Sequence, residues 1–146
     1  MEKKLNCVLL IDDDFATNFI NKKIVRKANI TEHIQIALNG REAIDYLCSK
    51  GKYESQETTN LQPGLIFLDI NMPVMDGWEF IAAYKNLISN ERKKEISIIM
   101  LTSSFNPADK AKADTIKEIA DYRQKTLNET ILHEIVKKHF SRQAEE

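Results

Sequence analysis

The chain has 146 residues, 42% hydrophobic and 29% charged, which fits one globular domain with its own core and excludes a disordered chain. Lys and Arg (21) nearly balance Asp and Glu (22), so no global field draws the protein to nucleic acid or an acidic membrane. No apolar run approaches the roughly 20 residues that span a bilayer, and "MEKKLNCVLLIDDD" turns acidic too soon, without a small-residue cleavage site, to read as a signal peptide.

In chain order, "LNCVLLID" is a near-continuous apolar run, as expected of a strand covered on both faces. "FATNFINKKIVRKAN" has helical spacing, with Phe15, Phe19, Ile20, Ile24 and Ala28 as the inner stripe and Lys22, Lys23, Arg26 and Lys27 as the wet side. "HIQIAL" alternates like an edge strand, and "NGREAIDYLCSKG" reads as a helix with Asn39 as N-cap and Gly51 past its end. The polar, aperiodic "KYESQETTNLQP" is a long loop. "GLIFLD" is a buried strand, and "DGWEFIAAYKNLIS" a helix presenting Phe80, Ile81, Tyr84, Leu87 and Ile88.

"ISIIMLT" is a further buried strand. "NPADKAKADTIKEI" opens a helix with Asn106 as cap and Pro107 at its first position, but its weak apolar stripe predicts light packing. "ADYRQK" is a short strand, and "NETILHEIVKKHF" a closing helix with Ile131, Leu132, Ile135, Val136 and Phe140 inward. Five strands alternating with five helices imply an α/β, doubly wound, five-stranded parallel sheet. The expectation is one domain over residues 1–146, with a core at about 5–140 and a frayed tail at 141–146. Cys7 in a strand and Cys48 in a helix read as buried free thiols, which favours a reducing, cytoplasmic setting.

Ligands of such sheets bind beyond the carboxyl ends of the strands. There the first strand carries Asp12 and Asp13, the third Asp69, the fourth Thr102 and Ser103, and the fifth Lys125. Taken singly, the aspartates serve as caps as readily as ligands, Thr102 is a strand-end residue and Lys125 a surface charge. If the first and third strands are neighbours, the three carboxylates converge. Like charges about 5 Å apart repel by roughly 3 kcal/mol per pair at an effective dielectric near 20, and an oxygen-loving divalent ion removes that cost.

The segments "LLIDDD", "LIFLDINMPVMDGWEF", "LTSS" and "YRQKTL", in this order, resemble the response-regulator receiver domain of bacterial two-component signalling, and the likeness runs from about Leu5 to Phe140. It implies a flavodoxin-like strand order 2-1-3-4-5, with Asp69 as phosphoacceptor. Mg²⁺, or alternatively Mn²⁺, would be held by Asp13 directly, by Asp12 through water, by Asp69, and by the Asn71 backbone carbonyl. Thr102 and Tyr122 would be the switch pair and Lys125 the phosphoryl partner, while Asn71 and Ser104 would tune the phosphoryl lifetime. Asp14 is expected to face the loop.

The donor would be a sensor histidine kinase or a histidine phosphotransfer protein. With no DNA-binding or catalytic segment after the fifth helix, output would pass to an unknown downstream protein through the fourth helix, fifth strand and fifth helix. The expected state is a monomer or weak homodimer, signalling rather than catalysing, with neither nucleic acid nor membrane as partner. The chain departs from the family at Thr126, where proline usually follows the lysine in a cis peptide, so cis and trans stay open here. The 52–63 loop is the other departure, and is similar to stand-alone regulators paired with phytochrome-type kinases. The rivals are a phosphorylation-independent pseudo-receiver and an aspartyl-nucleophile phosphatase or phosphotransferase. The latter would want an aspartate where Asn71 stands.

Overall fold

The computed structural model describes residues 5–54, 61–103 and 105–145, with side chains as far as residue 139. The strands β1 (Val8–Ile11), β2 (Ile34–Ala37), β3 (Leu65–Asp69), β4 (Ser97–Thr102) and β5 (Ile119–Gln124) form one parallel sheet in the order β2-β1-β3-β4-β5. Its crossovers carry α1 (Phe15–Ala28), α2 (Gly40–Cys48), α3 (Gly77–Leu87), α4 (Asn90–Lys93) and α5 (Pro107–Asp114), and α6 (Glu129–Glu145) follows the last strand. This is the doubly wound architecture that the alternating segments predict, with the flavodoxin-like strand order that the resemblance implies.

The strand interiors explain the two cores. Because side chains alternate along a strand, Leu9, Ile11, Ile66, Leu68, Ile98 and Met100 fall on one face, with α2 and α3 residues such as Ala43, Leu47, Phe80 and Tyr84. Val8, Leu10, Leu65, Phe67, Ile99 and Leu101 fall on the other, against Val25 of α1 and Leu132 and Ile135 of α6. Asn39 caps α2 by accepting from the Glu42 N–H at 2.9 Å, and Asn106 with Pro107 opens α5, both as predicted. Only Ala113 of α5 is buried, in keeping with its weak stripe.

Several expectations are corrected. The buried face of α1 is Asn18, Asn21 and Val25, while Phe15, Phe19 and Ile20 are exposed. Helix register, set at the Asp14 cap, overrides the apolar stripe. Gly51 does lie past the end of α2 as predicted, but the left-handed capping residue is Ser49 (φ 54°), and Gly51 (φ 57°) opens a short 3-10 turn, Gly51–Tyr53. The single-turn α4, capped by Ser89, is an addition to the five predicted helices, too short and polar to leave a periodic signal. α5 stops at Asp114, and Ile119 pairs with Ile98 in β5 instead of extending the helix. α6 keeps its helical backbone to Glu145, past the predicted fraying point. Cys7 is buried but Cys48 only half-buried, and both are free thiols. The Phe140 side chain and positions 55–60 of the long loop lie outside the described residues.

The Asp-Gly after β3 has a packing reason. Asp76 and Glu79 form a capping box at the start of α3. The Gly77 N–H donates to the Ile70 carbonyl at 2.7 Å, and a Cβ on Gly77 would stand 2.7 Å from the Asp69 carbonyl oxygen and 2.9 Å from the Ile70 Cα. Both are backbone atoms that cannot swing aside. Gly77→Ala is therefore expected to destabilise the fold by about 1–3 kcal/mol, as overpacking does. A lower urea midpoint at unchanged slope checks this.

Candidate functional site

Strand register assembles the site. β1 and β3 pair Ile11 with Leu68, so the next residues, Asp12 and Asp69, emerge abreast. β3 and β4 pair Asp69 with Leu101, and β4 and β5 pair Thr102 with Gln124, which brings Thr102 and Lys125 to the same edge. The Lys125 N–H donates to the Thr102 carbonyl at 2.6 Å, and the Lys125–Thr126 peptide is cis.

One carboxylate oxygen from each of Asp12, Asp13 and Asp69 lies within 4.8 Å of the others. Asp12 and Asp69 are buried, whereas Asp13 is exposed. Lys125 Nζ sits 2.7 Å from Asp12 Oδ2 and 3.3 Å from Asp69 Oδ1. Burial, and then the Asp12 charge, push the Asp69 carboxyl above its ordinary pKa, with Lys125 pulling the other way. Burial disfavours the Lys125 ammonium, but its hydrogen bond to Asp12 and the two negative charges outweigh this and hold its pKa above the ordinary lysine value. Lys125 thus faces two buried carboxylates, with the Asp13 carboxylate grouped beside them. Oxygen-only donors at this spacing suit a hard divalent ion.

Other predicted residues fall around this centre. Thr102 is buried at the end of β4, and Asn71 is exposed two residues past Asp69. Tyr122 is already buried, its ring set edge-on to Phe105 with centroids 5.4 Å apart, and its hydroxyl has no hydrogen-bond partner. Ser104 lies outside the described residues. Asp14 is exposed and caps α1, accepting from the Thr17 N–H at 3.2 Å. Its own N–H donates to Asp12 Oδ1 at 2.9 Å, which the sequence reading missed. It also missed Asn18, whose side chain donates to the Asp12 carbonyl at 2.7 Å. Cys7 takes no part: burial pushes its thiol up to about 11.

The model of the response regulator receiver domain matches residues 8–137. This chain belongs to that family. It is a receiver of two-component signalling. The receiver is 31% identical over 102 residues to the response regulator Rcp1 of Synechocystis sp., a match covering 70% of this chain and 65% of Rcp1, just under two thirds of that relative. A two-component response regulator from Cytophaga hutchinsonii superposes with a TM-score of 0.80 at 34% identity, over 95% of this chain and 99% of its own. The Mn²⁺-bound form of Rcp1 superposes with a TM-score of 0.69 at 28% identity, over 96% and 95%. No helix among the receiver's described residues is long and apolar enough to cross a membrane.

The receiver's charge crowding has a sign that can be tested without metal. Because the folded pKa of Asp69 is raised, its ionised form destabilises the fold at neutral pH, and that penalty shrinks once pH falls below the folded pKa and is gone below the unfolded one. Asp69→Asn is expected to raise the melting temperature by a few degrees at pH 7 in chelator, by less on acidification. Calorimetry across pH checks both.

Proposed function

We propose that the receiver accepts a phosphoryl group on Asp69 from a histidine kinase or histidine phosphotransfer protein. The observation that carries this is the Asp69 carboxylate at the sheet's carboxyl edge, grouped with Asp12 and Asp13 and 3.3 Å from Lys125. An Asp69 oxygen attacks the phosphorus of a phosphohistidine, the P–N bond breaks, and the imidazole leaves with the electron pair. Such transfer needs positioning and charge neutralisation more than covalent chemistry. Asp13 and Asp69 directly, Asp12 through water and the Asn71 backbone carbonyl would hold Mg²⁺, which would supply the neutralisation, and the three carboxylates lie close enough for this; Mn²⁺ is the ion in the solved form of Rcp1. Lys125 transfers part of its ion pairing from Asp12 to the phosphoryl oxygens, and the Thr102 hydroxyl donates to another. Asn71 and Ser104 tune the lifetime of the phosphoryl group.

Output in this reading passes through α5, β5 and α6. Phosphorylation adds up to two negative charges and draws on Thr102, one strand away from Tyr122. Since Tyr122 starts buried under Phe105 with an unpartnered hydroxyl, the switch acts on this pair rather than on an outward ring.

A protein donor is favoured by the rim of the site. Phe15 (81% exposed), at the first position of α1, and Val74 (79%) and Phe105 (47%), on the loops that follow β3 and β4, lie at the sheet edge that carries the acidic cleft. Val74 also has φ 67°, a backbone region costly for a β-branched side chain. An exposed apolar side chain in such a position adds little to the stability of the isolated chain, but it suits a partner's apolar surface.

With a small phosphodonor and Mg²⁺, intact mass is expected to show one added phosphoryl group, absent in Asp69→Asn and in chelator. No modification, here or from a kinase, would leave a phosphorylation-independent binding module. Phe15→Ala is expected to slow transfer from a protein donor about tenfold, the size of one interface anchor, while the small-donor rate stays unchanged. Stopped-flow or radiolabel rates with the two donors check this.

A further inference from the structure

Asn18 and Asn21 are the polar members of the α1 face that packs on the sheet, at 3% and 4% exposure. Both line a small cavity directly beneath the acidic centre, bounded also by Asp12, Asp69, Leu10 and Phe67. The Asn18 amide nitrogen is spoken for, donating to the Asp12 carbonyl at 2.7 Å, so its other atom is an acceptor oxygen. That oxygen and the Asn21 amide oxygen are both buried and have no hydrogen-bond partner. Two buried acceptors three residues apart on a helix, hence neighbours on one face, call for a shared donor. Neither Lys125, engaged with Asp12 and Asp69, nor the aliphatic lining provides it. A water has two O–H groups and needs a polar pocket with two or more partners.

We propose that Asn18 and Asn21 share one ordered water in this cavity and together form a positioning device for Asp12. On this account the asparagine pair fixes the backbone at the end of β1, so that Asp12 presents one oxygen to the Asp14 N–H and the other toward Asp69 and the cation. The cation part rests on the function proposed above; the backbone part does not. Outer partners of metal ligands are commonly worth 10–100-fold in affinity, and an isosteric apolar side chain should spare packing while removing the hydrogen bonds.

The test compares the full chain with Asn18→Leu and Asn21→Leu. Without metal, amide hydrogen exchange at Asp14 reports its bond to Asp12 Oδ1, with β1 amides such as that of Leu10 as an internal control. Exchange at Asp14 is expected to speed up in Asn18→Leu while the β1 amides stay protected, a pattern general destabilisation does not produce. By calorimetry with MgCl₂ alone, Asn18→Leu is expected to bind about tenfold more weakly, and Asn21→Leu to lose less in the same direction. A high-resolution crystal structure is expected to hold a water between the two amide oxygens. Unchanged Asp14 exchange and unchanged Mg²⁺ affinity in either folded variant overturn the positioning role, and a dry cavity overturns the shared water. Should Asn18→Leu fail to fold, Asn21→Leu decides. Should the unmodified chain bind no Mg²⁺, the metal reading of the site fails, and exchange at Asp14 alone judges the asparagine pair.

Discussion

The rest of the structure depends on one electrostatic constraint: Asp12 and Asp69 are driven side by side by strand register, and one ammonium, Lys125, must satisfy both. The nearer contact goes to Asp12, at 2.7 Å against 3.3 Å. Asp69 therefore keeps a carboxylate that is buried, crowded and incompletely paired. Such a group is a poor contributor to stability and a good candidate for chemistry, because any added positive charge or covalent change at that oxygen relieves the crowding. The cost is carried by the surrounding sheet, whose three central strands are buried almost throughout.

Holding that arrangement requires the backbone on either side of the carboxylates to be stiff. On the β3 side the means is close approach, with α3 starting flush against the Asp69 and Ile70 main chain because Gly77 has no Cβ. On the β1 side it is hydrogen bonding: the Asp12 carbonyl is held by Asn18 and its carboxylate by the Asp14 N–H and Lys125. The two devices differ in what they tolerate. The glycine contact depends on shape, the asparagine contact on donors and acceptors, so one responds to added volume and the other to lost polarity.

Legibility in the sequence follows the same division. Apolar runs and polar strand ends were enough to derive the sheet and to place Asp12, Asp13, Asp69, Thr102 and Lys125 at one edge, because period-2 burial and strand-end chemistry are local signals. The caps at Asn39 and Asn106 were legible for the same reason. Three things were not. The α1 face was inverted over its first two turns, since Phe15, Phe19 and Ile20 carry a stronger apolar stripe than Asn18, Asn21 and Val25, while Ile24 packs inward and Lys23, Arg26 and Lys27 face water as expected. The one-turn α4 is too short for periodicity. The buried start of Tyr122 depends on Phe105 folding over it, a contact between separate segments. A spacing of Asn18, Asn21 and Val25 at i, i+3 and i+7 does mark a helix face, but a search keyed to hydrophobicity passes over it.

The inversion of α1 is the least economical feature of the fold for stability, and for that reason the most informative about function. A helix selected for stability alone would put its phenylalanines inside and its asparagines in water. Each buried amide oxygen that no protein group meets carries a desolvation cost of about 1–3 kcal/mol, which a shared water offsets only in part, and each phenylalanine left in water forgoes a burial contribution of about 1.5–3 kcal/mol. Both departures sit at the site: the asparagines line the cavity under Asp12 and Asp69, and Phe15 follows the Asp14 cap. One helix thus carries an inner polar face that holds the acid centre and an outer apolar face turned toward whatever approaches it. Stability is given up on both sides of α1, at the end of the molecule where the Asp69 chemistry lies.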